Sequence, residues 1–572
     1  MKVAVYTITK NEEKFIRRWA ESCQEADYRL IVDTGSTDNT VDVAIENDCY
    51  VETITISPWR FDDARNAALA LLPDDIDLCI ALDADEVLTP GWRQAIDKVD
   101  PQVTRPRYKY VWSWNADGSE GLVYHGDKIH ARKGYRWRHP VHEVVTPVDT
   151  EVQGWVDLQI HHHPDNSKSR SQYLPLLELA IRERPDDDRN QFYLGREYMF
   201  NNMNDKAKVH LLKHLELSTW KPERATSMRY LSRVTPDKEH WLLRACAEAP
   251  DRREPWVELS RFYYDHKKWA QCYSAALKAL EIKQKPLEYL CEAESWGSLP
   301  HDLACVAGWN LEMKSSSISH GLSAYEAEPH NLRLKNNLSL LYSLSAEIKV
   351  SVVIPTKSNI DGLCSLLNSI HELDLIDKIY VVADGDKAFE MLQDKLKAYN
   401  NIILIKVTEG SGIHVMWNAG LRKSSGTHCL FLNDDVVIDP QSVRVMAGVL
   451  DVQKDYGLIC PNYDNRFLST AFQLVNQTCR GRYDGTGGLA GFCMMLSAHL
   501  VDHWSFDESM KWWYGDDDIL NWVTRTKSKS AVLTILANCS SNSSWTIEND
   551  PPSNFAEDVE NDKKIFLYKW GG

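Results

Sequence analysis

Short apolar runs alternate along this chain with stretches whose apolar residues recur every three to four positions, and the alternation fills both ends. Near the N-terminus Val3–Ile8, Leu30–Val32 and Leu78–Leu82 have strand length, while Glu12–Cys23 and Val41–Asn47 carry the helical period. The rhythm returns after residue 349: strand-like runs at Val350–Ile354, Lys378–Val382, Ile402–Ile405 and Cys429–Leu432, with a helical pattern over Gly362–Ile370. Strands interleaved with helices predict two α/β domains, each built on a mainly parallel sheet.

Between them the pattern is helical throughout, and it repeats. Arg184–Leu217 aligns without gaps on Ala249–Ile282, an offset of 65 residues (249 − 184), with Pro185/Pro250, Leu194/Leu259, Tyr198/Tyr263 and Leu212/Leu277 in register. That offset is about two units of a roughly 34-residue helix-turn-helix repeat. Glu223–Ala249 reads as a degenerate copy, and Pro286–Pro329 as a further one with a longer turn. The stretch resembles the tetratricopeptide repeat, although any helical hairpins with apolar faces would align similarly. Such a solenoid would space the outer domains or present a concave binding face. The expected division is residues 1–165, an α/β domain; 166–345, a helical linker; and 346–572, a second α/β domain.

Composition narrows the classes. With 572 residues, 43% hydrophobic and 26% charged, the chain is ordinary globular material in several domains, not disordered, collagen-like or coiled-coil. Its 82 acidic against 65 basic residues give a formal charge of −17, which disfavours a generic nucleic-acid or anionic-membrane binder. No run of 18 apolar residues occurs, and Met1-Lys2-Val3-Ala4-Val5-Tyr6 reads as the start of a strand rather than a signal peptide, so a cytoplasmic protein without a transmembrane segment is expected. The thirteen cysteines are scattered and never form CxxC, which predicts reduced, buried thiols.

Polar residues just beyond strand ends are where open parallel sheets bind ligands. Here these are Thr7-Ile8-Thr9-Lys10-Asn11, then Asp33-Thr34-Gly35-Ser36-Thr37-Asp38, then Asp83-Ala84-Asp85-Glu86. Asn11 and Asp38 are equally good helix caps. Carboxylates crowded at the end of an apolar strand repel one another unless a cation or hydrogen-bond donors compensate them, and oxygen clusters suit Mg²⁺ or Mn²⁺.

Taken in order, these segments resemble the family 2 glycosyltransferases of the GT-A (Rossmann-like) fold. Asp33–Asp38 is similar to the family's nucleotide-binding turn and Asp83-Ala84-Asp85 to its DxD motif. The resemblance implies a nucleotide-sugar donor, UDP-sugars foremost, with Thr7, Asn11, Asp33, Ser36, Asp38 and Asp83 around the nucleotide and Asp85 on the metal. Phe61–Asn66 is similar to the segment before the DxD strand and would bring Arg65 and Asn66 to the donor. In Tyr135–Glu143, His142 would complete the metal shell and Glu143 would act as general base; a core histidine and a salt-bridged glutamate are the plain alternative. His161-His162-His163 could also touch donor phosphates through one ring.

The second α/β region carries the same order. Val352–Thr356 resembles the family's opening strand, with Pro355 and Thr356 at its end. Asp384 then stands at the base-and-ribose position, Asn418 in the N-x-G segment, and Asn433-Asp434-Asp435 at the DxD position, with Asn433 replacing the first carboxylate and Asp435 left for the metal. Gly491 lies in a glycine-rich approach to the sugar. Trp512-Trp513-Tyr514-Gly515-Asp516-Asp517-Asp518 resembles the segment holding the catalytic base, which makes Asp516 or Asp517 the base, with Gly515 where a glutamate is usual. Helix capping is the alternative for the aspartates. The tail Asn538–Pro552, rich in Ser and Asn, is expected to loop near this site as a lid.

The expectation is therefore a bifunctional, metal-dependent inverting glycosyltransferase acting on hydroxyls of a glycan, protein or modified nucleic acid. The competing class is one catalytic head, with the other α/β domain and the helices binding acceptor. A nucleotidyltransferase would carry a glycine- and basic-rich loop after the first strand, which Thr7–Asn11 and Pro355–Asn359 do not supply. The basic residues Arg105, Arg107, Lys109, Arg132, Lys133, Arg136 and Arg138 either hold a phosphate-bearing acceptor or form a solvated face.

Overall fold

The structure, a computed structural model, describes residues 1–115, 118–165, 173–344, 348–463, 468–478, 488–541, 549 and 552–571. The chain forms two compact units, Met1–Leu303 and Ala304–Gly572.

The first unit runs β1 (Val3–Thr9), α1 (Glu13–Ser22), β2 (Tyr28–Asp33), α2 (Thr40–Glu46), β3 (Tyr50–Thr53), α3 (Phe61–Ala70), β4 (Leu78–Ala81), β5 (Glu86–Leu88), α4 (Trp92–Ile96), β6 (Arg105–Val111), β7 (Val123–Gly126), β8 (Ile129–Ala131), β9 (Tyr135–Arg138), β10 (Val144–Pro147) and β11 (Gln153–His162). Its main sheet has the order β3-β2-β1-β4-β8, parallel except at β8. Both faces are covered, so β1 reads as an unbroken apolar run: Val3 and Val5 enter the core beneath α1, while Ala4 and Tyr6 enter the one on the α3 side. A second sheet, β5-β11-β6-β7, follows the main one.

Helices α5 (Tyr173–Glu183), α6 (Asp188–Phe200), α7 (Asn204–Leu217), α8 (Lys221–Val234), α9 (Lys238–Glu248), α10 (Arg253–Asp265), α11 (Trp269–Glu281) and the short α12 (Ala293–Trp296) complete this unit, and α13 (Leu299–Asn310) crosses into the next. They pack as consecutive pairs, α6 with α7, α8 with α9 and α10 with α11. The boundaries of α6 recur in α10 at the 65-residue offset of the sequence alignment (188 to 253, 200 to 265), because the same positions must face the neighbouring helix in each hairpin.

The second unit continues with α14 (Lys314–Ala327), α15 (Leu332–Ser343), β12 (Val350–Thr356), α16 (Ile360–Ile370), β13 (Ile376–Asp384), α17 (Gly385–Gln393), β14 (Ile402–Val407), α18 (Ile413–Leu421), β15 (His428–Leu432), β16 (Val436–Ile438), α19 (Pro440–Val452), β17 (Tyr456–Asn462), β18 (Phe472–Leu474), β19 (Cys493–Leu496), α20 (Ala498–Val501), α21 (Gly515–Asn521), β20 (Ser530–Ser541) and a final helix α22 (Phe555–Trp570). Its sheet has the order β14-β13-β12-β15-β19-β17-β20-β16, with β18 beside β20. The parallel run β14-β13-β12-β15 repeats the order β3-β2-β1-β4 of the first unit, and in both an antiparallel strand comes next. Tyr325, Leu338 and Tyr342 of α14 and α15 share a core with Val350, Val352 and Ile354 of β12, so these helices fold with the second α/β region.

Two local expectations change. Asn538–Ser541 of the expected lid lie on β20, and residues 542–548, 550 and 551 are outside the described residues. The basic residues after Arg105 do not form one free patch: buried Arg105 bonds the carbonyls of Asp127 and Val145, Lys109 pairs with Glu120 at 2.5 Å, and Arg132 bonds Leu72 and Pro73 carbonyls. No disulfide joins the cysteines among the described residues, and all of these but Cys364 are buried. No helix among the described residues is long and apolar enough to cross a membrane.

Candidate active site

In the first unit, the carboxyl ends of β1 and β2 are stitched together. The Asn11 N–H donates to Ser36 Oγ (2.9 Å), and the Thr37 N–H donates to Asn11 Oδ1 (2.7 Å). Asp33, at the end of β2 and buried, accepts the N–H groups of Gly35 and Ser36 at 3.0 Å each and the Ser36 hydroxyl. Gly35 sits at φ +103° with open space beside its Cα, the conformation this tight turn needs. Asp38 is exposed and accepts the Glu13 N–H at the start of α1 and the Thr40 N–H at the start of α2. Thr7 is fully buried inside β1.

The carboxylates beyond β4 find their compensation within the protein. Arg65, buried on α3, donates to Asp83 (2.6 Å) and to Glu143 (2.5 Å), with its guanidinium carbon 4.7 Å from the Trp137 ring. Lys128 bonds Asp83 Oδ2 (2.5 Å) and Glu86 Oε1 (2.9 Å), and the Tyr110 hydroxyl donates to the same Glu86 oxygen. Burial alone would raise the Asp83 pKa, but Arg65 and Lys128 hold it well below the carboxylate range. Glu86 moves the other way, raised by burial and by the Asp83 charge.

Asp85 pairs with a histidine, His162, whose Nε2 lies 3.3 Å from Asp85 Oδ2. Antiparallel register puts His162 of β11 opposite Glu86, next door to Asp85. Burial disfavours the charged imidazole, but Asp85 and the Trp112 carbonyl outweigh it and raise its pKa. His142, by contrast, stacks on Tyr193 of α6 at 4.2 Å. Glu143 meets Arg65, the salt bridge of its alternative reading.

In the second unit, Thr356, following Pro355 at the end of β12, donates to Asp434 Oδ2 (2.7 Å). No basic side chain among the described residues forms an ion pair with Asp434, and burial, helped by the Asp435 charge, pushes it up to about 7. Asp435 accepts from Ser541 Oγ at 3.1 Å, so β20 borders this site. The Asn433 side-chain oxygen is buried with no hydrogen-bond partner among the described residues. Asp384 closes β13 and accepts the Gly410 N–H at 2.7 Å.

The three aspartates that open α21 point to different partners. Asp517 is buried and accepts from Thr478 Oγ1 (2.8 Å); Asp518 is fully buried and accepts from Lys569 (3.0 Å) and Trp570 Nε1 (2.6 Å). Asp516 is half-buried and backs onto Gly491, where a Cβ would stand 2.8 Å from its Oδ2. Gly515 packs on His414 and Trp417 so closely that a Cβ would come 2.4 Å from His414 Nε2, which explains glycine at this position.

The comparisons follow this geometry. The family model described as Glycosyl transferase family 2 matches residues 4–100 and 351–488. Both α/β regions are thus similar to glycosyl transferase family 2. No curated protein matches the chain. Solved structures with partial likeness include GalNAc-T7 with UDP, GalNAc and Mn²⁺ (12% identity, 38% of this chain and 50% of that one, TM-score 0.28) and S. aureus TarS 1–349 with UDP-GlcNAc (16%, 38% and 67%, 0.28). The chain thus spans half the length of that GalNAc-T7 chain.

The two α/β regions share a device that the motifs did not reveal. Asn66 donates to the Trp137 carbonyl (2.9 Å) and accepts the Trp137 N–H (3.0 Å); Asn418 does the same to Phe506, at 2.8 Å each way. In each case the amide grips a downstream backbone segment. Sequence reading also missed Lys128 and the final helix, whose Asp562, fully buried, accepts the N–H groups of Lys511 (2.8 Å), Trp512 (2.8 Å) and Trp513 (3.0 Å). A lone lysine or aspartate distant in sequence carries no pattern that would flag it.

As for metal, Asp85 with His162 offers oxygen and imidazole nitrogen, and Asp435 with the orphan oxygen of Asn433 offers two oxygens; both sets fit Mn²⁺ or Mg²⁺ chemistry. Among the described residues no group of three or more His, Cys, Asp or Glu could hold an ion unaided.

Proposed function

We propose that the protein is a two-headed, metal-dependent glycosyltransferase that moves sugars, by inverting single displacement, from nucleotide-sugars to hydroxyl acceptors. The observation that carries this reading is the duplication itself: two family 2 regions with the same strand order, each with an aspartate ending the second strand (Asp33, Asp384) and carboxylates just past the fourth (Asp83 and Asp85; Asp434 and Asp435). UDP is the expected nucleotide from the family resemblance. The tetratricopeptide-like hairpins serve as spacer and binding surface, and a cytoplasmic setting is expected.

A divalent cation at Asp85 and His162, or at Asp435 and Asn433, would supply Lewis-acid neutralisation of the departing diphosphate. The remaining chemistry belongs to side chains. In the second head Asp516, half-buried beside Gly491, is the proposed acceptor of the hydroxyl proton, while the buried Asp517 bonds Thr478 and the buried Asp518 bonds Lys569 and Trp570. In the first head the Arg65 guanidinium, oriented between Asp83 and Glu143, holds positive charge near the donor; Glu143, held in its salt bridge to Arg65, fits orienting Arg65 better than abstracting a proton.

The test is nucleotide release from UDP-, GDP-, dTDP- and CMP-sugars with Mn²⁺, by the intact protein and its Asp85→Ala and Asp435→Ala variants. Two metal-dependent activities lost separately establish two heads. Loss of all release in one variant and none in the other establishes one catalytic head beside a binding module, a reading favoured by the contrast between the neutralised Asp83 and the uncompensated Asp434. Release unaffected by both changes refutes the assignment.

A further inference from the structure

Beyond the first head's carboxylates, two lines of contact run onto the helices of the same unit. One passes from Asp83 through Lys128 and Glu86 to Tyr110, whose ring lies 5.1 Å from Tyr124; Tyr124 in turn meets Tyr289 at 6.5 Å. The other passes from Asp83 through Arg65 to Glu143, next to His142, which stacks on Tyr193. The second line reaches Arg189 on α6, whose guanidinium carbon stands 4.9 Å from the Tyr193 ring, and Tyr289 at the end of the first line lies within electrostatic reach of the same guanidinium. Tyr124, His142, Arg189 and Tyr289 are all half-buried, the exposure of a cleft wall rather than of a core.

Arg189, half-buried, differs from the four buried arginines among the unit's described residues. Arg65, Arg105, Arg229 and Arg252 each have a carboxylate within 3.0 Å. Arg189 forms no ion pair among the described residues, and its Nε is shut off from solvent without a hydrogen-bond partner. The two nearby acids are already engaged: Glu223 Oε1 accepts the Tyr289 hydroxyl and its Oε2 lies 3.1 Å from His214 Nε2, while Asp127 Oδ2 lies 3.5 Å from Arg107 Nη1. Enclosing a charge without a partner is costly, and the cost persists where a ligand supplies the partner.

We propose that Arg189 is the anion contact of an acceptor subsite on the helical wall of the first head. This rests on the glycosyltransferase reading of that head and deepens it: the acceptor is a polyol or sugar that carries an oxyanion, phosphate or carboxylate, close to its reactive hydroxyl. The guanidinium's planar fork matches either oxyanion in bidentate fashion, and Tyr124, Tyr193 and Tyr289 offer flat faces to the carbon skeleton.

The experiment is saturation-transfer NMR on the full chain with glycerol, glycerol 3-phosphate and glycerate as probes, with and without UDP and Mg²⁺. An anionic probe should bind about tenfold more tightly than glycerol, the worth of one charge-assisted contact. Arg189→Gln should abolish that preference, Arg189→Lys should restore part of it, and UDP affinity should stay unchanged in both. Which anion is preferred separates phosphate from carboxylate. No preference in the parent, or a preference that survives Arg189→Gln, overturns the subsite. Absence of UDP binding would count against the donor reading alone, since the anion preference is also scored without nucleotide.

Discussion

Asn418 holds Phe506 by both of its backbone groups, each at 2.8 Å, and so ties α18 to the segment leading to the Asp516 loop. Phe506 is buried against Phe431 and Trp417, so the clamp sets where that segment enters the core. Asn418→Ala leaves a buried N–H and C=O without partners and should cost about 2 to 3 kcal/mol in urea unfolding. Asn66→Ala should do the same through Trp137. Full stability with lost UDP affinity would mean that these amides serve the donor instead.

Asp516 and Asp517 separate by what they touch. Asp516→Asn should lower transfer at the second head by about a hundredfold or more, the usual size of a general-base contribution, with little change in Tm. Asp517→Asn weakens the contact from Thr478 and should act mainly on stability. Equal kinetic losses in both variants would contradict this division.

Gly515→Ala places a methyl 2.4 Å from the His414 ring and 2.9 Å from Trp417, both buried. Overpacking of this kind costs about 1 to 3 kcal/mol. A lower Tm is expected for Gly515→Ala and a larger drop for Gly515→Glu, even though glutamate is usual in the family; an unchanged Tm for the glutamate variant would refute the packing argument.

The final helix is a brace for the aromatic loop. Asp562→Ala strips three N–H groups of their acceptor, while the Tyr514–Phe566 stack at 5.0 Å remains. Second-head turnover should fall severalfold or more, and release dependent on Asp85 should persist. Equal loss at both heads would point to global unfolding rather than a local brace.

Acid stability should be governed in part by two enclosed histidines. His130 lies 3.0 Å from the Tyr6 hydroxyl and His428 is equally enclosed; burial pushes both down to about 4. An unfolded histidine titrates near 6.5, so between the two values the unfolded chain binds a proton that the folded one refuses. Stability is therefore complete above pH 6.5 and declines as pH falls toward 4, by about 2 to 3 kcal/mol per histidine. Unfolding free energies from urea titrations at pH 7 and 4.5 should lie closer together by that amount in His130→Gln than in the parent.

How much was legible in the sequence follows from how local each feature is. The strands Val3–Thr9 and Val350–Thr356, the hairpin period that recurs at 188 and 253, and the carboxylates beyond β4 and β15 were all readable, because periodicity and strand-end chemistry are written in neighbouring residues. Which charges compensate which was not. Lys128 reaches Asp83 across 45 positions, His162 rather than His142 faces Asp85 only through the antiparallel register of β11 on β5, and Asp562 finds the Trp512 N–H 50 positions upstream. The sequence alone determined the elements and the kind of chemistry their ends carry; tertiary structure alone decided the partners, because electrostatics and hydrogen bonding depend on distance in space and the fold brings these distant positions together.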